Sequence, residues 1–144
     1  MDEILVRYLH FFGIISLTAG LVVEQFLISN EVSVNTMNKI TVADAICGMG
    51  ALLIIISGML LWFVVGKPAE FYSGNWVFYT KLTIFLTIII LASYPALFFI
   101  RARNSQLSVI NVPQLVITLI RIEAVLLFTV PLFAVFMAKG YGIT

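Results

Sequence analysis

The sequence predicts an all-α integral membrane protein, a four-helix bundle of antiparallel up-down topology with both termini on the same side. Two observations carry that expectation. The 144 residues are 62% hydrophobic and only 10% charged, with a mean hydropathy of +1.13, whereas a soluble domain carries roughly a quarter charged residues. Four apolar stretches, about 5–28, 42–65, 76–100 and 114–138, are each long enough to cross about 30 Å of hydrocarbon at about 1.5 Å per helical residue. Lipid offers backbone amides no hydrogen-bond partners, so each span satisfies its own as a helix. The spans and their short connections account for the length, so residues 1–144 make a single transmembrane domain.

The first span opens with Asp2 and Glu3 and lacks an A-x-A site, so it reads as a retained helix rather than a signal peptide. Ser29-Asn30-Glu31 leaves it. The second span is expected to start at T-V-A-D, Thr41 to Asp44, a capping-box-like pattern in which the acid serves the helix N-terminus. Gly66-Lys67-Pro68 ends it. The third starts at Trp76 and gives way to Arg101-Ala102-Arg103-Asn104-Ser105, and Pro113 suits the first turn of the fourth. Pro95 and Pro131 lie inside spans, where each removes one backbone donor. Tyr8, Trp62, Trp76, Tyr79 and Tyr141 fall at the end shared by the termini, an interfacial aromatic belt. We call this end the N side. Arg7, Lys67 and Lys139 there balance Lys39, Arg101 and Arg103 opposite, so the positive-inside rule selects no orientation.

Several function classes are disfavoured. The net charge is +1 with basic residues scattered singly, unlike the clustered footprint of a nucleic-acid binder. Cys47 is the sole cysteine, so no intrachain disulfide or cysteine-based zinc site can form. Met37, Met49, Met59 and Met137 are too dispersed to suggest copper ligation.

His10, Glu24, Asp44, Lys81, Arg121 and Glu123 remain within the spans. A charge at mid-bilayer costs about 2.5–3.5 kcal/mol on insertion scales, so such groups must be paired, neutral, interfacial or beside a wet cavity. Counting from the nearest helix end puts His10 and Lys81 both roughly 8 Å below the N side. Glu24, Asp44 and Arg121 fall near the far side, where they make a charge-balanced group, and with Glu123 they form the intramembrane polar cluster. Glu123 lies two positions from Arg121, about 200° around the helix, so the two cannot share a partner. His10, Gly13, Leu17, Gly20 and Glu24 line one face of the first helix. Asp44, Gly48, Ala51, Ile55 and Gly58 line one face of the second, and Gln114, Thr118 and Arg121 one of the fourth. The glycines would admit a neighbouring helix, a second copy of the chain or a flat ligand.

The stretch Gly58 to Leu86, with L-H-F around His10, V-E around Glu24, A-D around Asp44 and R-I-E at Arg121 to Glu123, resembles a family of predicted bacterial inner-membrane proteins defined as a domain of unknown function. That resemblance implies a multi-pass protein of the bacterial inner membrane. More distantly, Y-L-H-F-F-G-I-I-S-L-T-A-G-L, holding His10, and G-N-W-V-F-Y-T-K-L, holding Lys81, are similar to the first and third helices of membrane-embedded protoporphyrinogen oxidases and copper-resistance D proteins. This implies His10 as an axial ligand of haem b and Lys81 beside a porphyrin carboxylate. With a single histidine in the chain, bis-histidine ligation would need His10 of a second protomer.

The leading reading is therefore a haem- or porphyrin-binding redox protein, with a small transporter using the acid and arginine cluster, or a structural or accessory membrane protein whose charges serve folding, as the alternatives.

Overall fold

Ser33 sets where the second long helix begins. The computed structural model describes residues 2–143. In it the first helix, α1, spans Asp2–Leu27, and the second, α2, spans Val34–Phe63. Ser33 caps α2 from extended backbone, its hydroxyl accepting from the Thr36 amide at 3.1 Å. The expected start at Thr41 to Asp44 is thereby corrected. Asp44 lies well inside α2, and Thr41 donates its hydroxyl to the Met37 carbonyl at 2.8 Å instead of capping. Helical hydrogen bonding simply runs on past the apolar stretch, with Asn35, Asn38 and Lys39 exposed along the added turns.

After a short helix, α3 (Ala69–Ser73), the third long helix α4 spans Trp76–Ala102. Asn75, fully buried, caps it by accepting from the Val77 amide at 2.9 Å. Its side-chain amide donates to the Tyr141 carbonyl at 3.2 Å, and the Trp76 amide donates to Gly142 at 3.1 Å. These bonds tie the C-terminal end of the chain to the start of α4. The last long helix, α5, spans Gln114–Ala138. All four long helices are long and apolar enough to cross a membrane, and they pack together as the all-α bundle that the sequence predicts.

The far end carries a feature that hydropathy did not announce. Glu31–Ser33 (β1) and Val109–Asn111 (β2) pair antiparallel, Val32 opposite Ile110, and these two point inward, 5% and 6% exposed. Below this ribbon lies the main apolar core: Met37, Ile40, Phe99, Val116 and Ile120, all fully buried.

Two helical hairpins make the bundle. α1 packs along α2 and α4 along α5, while thinner contacts join α2 to α4 and α1 to α5. Glycines set the first seam: a Cβ built on Gly50 would lie 2.6 Å from the Leu17 amide nitrogen, and one on Gly20 2.6 Å from the Ala43 carbonyl. Gly13 meets Gly50 there as well. This close backbone approach is the small-residue packing that membrane helices use in place of a hydrophobic driving force.

Candidate functional site

Between the hairpins lies a cavity of about 320 Å3 to which all four long helices contribute. α1 supplies Leu17, Leu21 and Glu24; α2 supplies Asp44, Cys47, Gly48 and Ala51. α4 closes it with Phe85, Ile88, Ala92 and Ala96, and α5 with Glu123 and Leu127. Three carboxylic acids therefore share one apolar chamber, and no Lys or Arg lines it.

Glu24 is 2% exposed and Glu123 5%. The Cys47 thiol lies 3.4 Å from Glu24 Oε1 and 3.4 Å from the Leu17 carbonyl, so it is the near donor to that acid. Asp44 and Glu123 are near enough for their charges to act on Glu24. Glu123 Oε1 is buried with no hydrogen-bond partner at all. A buried unpartnered acceptor is costly. Gln25 positions it: its side-chain amide crosses from α1 to donate to the Ile120 carbonyl at 2.7 Å, fixing α5 against α1 one turn before Glu123.

The charge-balanced far-side cluster is corrected here. Arg121 is exposed, as are Gln114 and Thr118 on its face, and among the described residues the ion pair found is Arg7 with Glu3 at 2.6 Å. The angle between Arg121 and Glu123 decides the matter, because only one of the two can face the bundle interior. α5 turns Val116, Ile120 and Glu123 inward and leaves Arg121 exposed on its outer face. Glu24, Asp44 and Glu123 come together; Arg121 does not join them.

The far surface is closed over this chamber by the Met37, Ile40, Phe99 and Ile120 layer and the ribbon above it. Toward mid-membrane the wall is thinner. Gly48, Leu52 and Ile55 of α2 and Ser93 of α4 line the cavity and are themselves exposed. A Cβ on Gly48 would meet nothing within 4 Å. The chamber thus opens sideways, between α2 and α4, toward lipid.

At the N side, His10 is half-buried, its Nδ1 2.9 Å from Ser57 Oγ. The Ser57 hydroxyl is itself directed to the Leu53 carbonyl, so its oxygen is free to accept from a protonated Nδ1. That leaves Nε2 of the imidazole as the basic nitrogen. Lys81 is near enough for its charge to act on His10, and its ammonium lies 5.8 Å from the Phe78 ring centroid. Ser57, the residue that orients His10, was not singled out by the sequence. Its place on the α2 face toward α1, one turn from Ile54 and two turns from Gly50, is the signal that could have found it.

Four membrane-crossing helices around buried acids define a multi-pass membrane protein. The chain belongs to the DUF2214 family of predicted membrane proteins, whose model matches residues 2–142. No curated protein matches the chain, and no solved structure does.

Proposed function

We propose that this protein is a small proton- or cation-exchanging carrier of the bacterial inner membrane, working at the Glu24, Asp44 and Glu123 chamber. The observation that carries the reading is Glu123 Oε1, buried and unpartnered in a cavity that holds two further acids and no basic side chain. Three ionised carboxylates at this depth would cost on the order of 10 kcal/mol at about 2.5–3.5 each, comparable to the whole stability of a typical protein. The chamber therefore holds protons or a positively charged guest, and exchange between the two is the chemistry it offers. Thin contacts between the hairpins, against extended seams within them, supply two bodies that can move relative to each other.

Infrared difference spectroscopy of the protein in lipid, stepped through pH, tests this. Carboxylic C=O bands should be present at neutral pH and bleach as pH rises, and Glu123→Gln should remove one of them. Absence of any such band in the wild type would reject the reading.

A second reading rests on the oriented His10. Its imidazole would hold the haem iron and the Lys81 charge nearby would balance the group's acidic side chains; when bound, the haem would supply one-electron redox chemistry. The distant likeness of the first and third helices to membrane-embedded oxidases supports it, and a second protomer's His10 would complete bis-histidine ligation. Protein purified from haem-replete cells should then show a Soret band that His10→Ala abolishes. A colourless wild type rejects it.

A further inference from the structure

We propose that the guest of the carboxylate chamber is a lipophilic organic cation, a hydrocarbon or aryl body bearing one ammonium, which enters from the bilayer between α2 and α4. The inference rests on the carrier reading above and names its substrate class.

Charge is the first argument. Glu24 from α1, Asp44 from α2 and Glu123 from α5 face the chamber, Cys47 adds a thiol, and α4 contributes only the Ser93 hydroxyl among polar side chains. No Lys or Arg lines the chamber: Arg121 is exposed, and Lys39 lines a separate groove formed by α1 and α2. The unpartnered Glu123 oxygen has no donor from the protein, so it is free to accept from a guest or to face a guest's positive charge.

The rest of the lining decides what kind of cation. Apart from the acids, Cys47 and Ser93, the wall is aliphatic, with Phe85 as its aromatic ring. A strongly hydrated inorganic cation would surrender its water to a surface with few oxygens. Among the described residues no three His, Cys, Asp or Glu side chains converge closely enough to hold a metal ion. The volume of about 320 Å3 falls at the lower end of the roughly 300–1,000 Å3 typical of small organic ligand sites. Apolar walls with one charged region fit an amphiphile, not an ion.

The route supports the same class. The fully buried Met37, Ile40, Phe99 and Ile120 layer shuts the far surface, while the side opening at Gly48 and Ser93 faces hydrocarbon. A guest arriving that way must partition into lipid, which lipophilic amines do and inorganic ions do not. Arrival of the cation displaces protons from the acids, so its binding strengthens as pH rises.

The test uses the full chain in nanodiscs and two probes of one shape, benzyltrimethylammonium and its neutral isostere neopentylbenzene. Calorimetry should show the cation binding with proton release and the neutral probe binding at least about tenfold more weakly, a difference of about 1.4 kcal/mol. Glu123→Gln should weaken the cation by a similar factor. Gly48→Leu, which fills open space and leaves the helix seam alone, should slow cation entry several-fold while the infrared carboxyl bands persist. Equal binding of both probes, or cation binding unchanged in Glu123→Gln, overturns the proposal. If neither probe binds while the carboxyl bands titrate, the organic-cation assignment falls and the carrier reading survives; if the bands are absent, both fall.

Discussion

The two ends of the bundle are built by different means. At the far end, a two-stranded ribbon covers a layer of fully buried apolar side chains, and the acids sit beneath that layer. At the N side the packing is aromatic and half-exposed: Trp62 stacks on Phe63 at 4.4 Å and meets Phe78 edge-on at 4.8 Å, while Tyr8, Trp76 and Tyr141 remain largely exposed. Aromatic rings with polar edges suit the headgroup region, where one side of the residue is wet and the other dry. The difference teaches that depth alone does not make a site in this protein. The acids are isolated because a sealed end lies above them, whereas His10 and Lys81 lie under a loosely covered one.

The largest test of that contrast removes the seal. Phe99→Ala should cost about 3–5 kcal/mol, seen as a large drop in the thermal unfolding midpoint in detergent, while Phe78→Ala at the N side should cost clearly less. Comparable losses would show that the two ends are equally packed. Next comes the helix seam: Gly50→Ala places a methyl within 2.6–2.7 Å of α1 backbone and should destabilise by about 1–3 kcal/mol, whereas Gly48→Ala, facing open space, should be close to neutral. Gln25→Ala, which deletes the α1 to α5 hydrogen bond, should cost about 0.5–1.5 kcal/mol and broaden the Glu123 infrared band as α5 loosens. The smallest effect belongs to Arg121→Gln, expected within about 0.5 kcal/mol and without change to the carboxyl bands. A large loss there would restore the arginine to the cluster and break the description of the chamber as purely acidic.

How much of this was legible in the sequence differs by feature. Four spans follow from hydropathy, and the two glycine positions of α1 were marked as points of close approach, which Gly13 and Gly20 are. Their counterpart on α2 is Gly50, off the stripe of Asp44, Gly48, Ala51, Ile55 and Gly58 that periodicity marks. The first four of that stripe face the cavity instead, while Gly58 lies against His10. In a soluble helix the polar face would have settled the orientation. Here lipid and core are both apolar, so the period identifies a face without saying what it faces. The same ambiguity drew Arg121 into the polar cluster beside Glu24, Asp44 and Glu123, and only Arg121 falls outside the chamber.

From the sequence come the bilayer and the four antiparallel helices, because an apolar span of about 20 or more residues closes its own backbone hydrogen bonds as a helix and these four stretches are long and apolar enough. The sequence also determined that acids and bases would lie within those helices. Which acids share a chamber, which basic residue stays outside it, and that a ribbon between residues far apart in the chain seals one end were decided by the tertiary structure. Those outcomes depend on how each helix is rotated about its axis, and that rotation is fixed by the tight seam at Gly13, Gly20 and Gly50 and by the pairing of Val32 with Ile110, contacts that no single span contains.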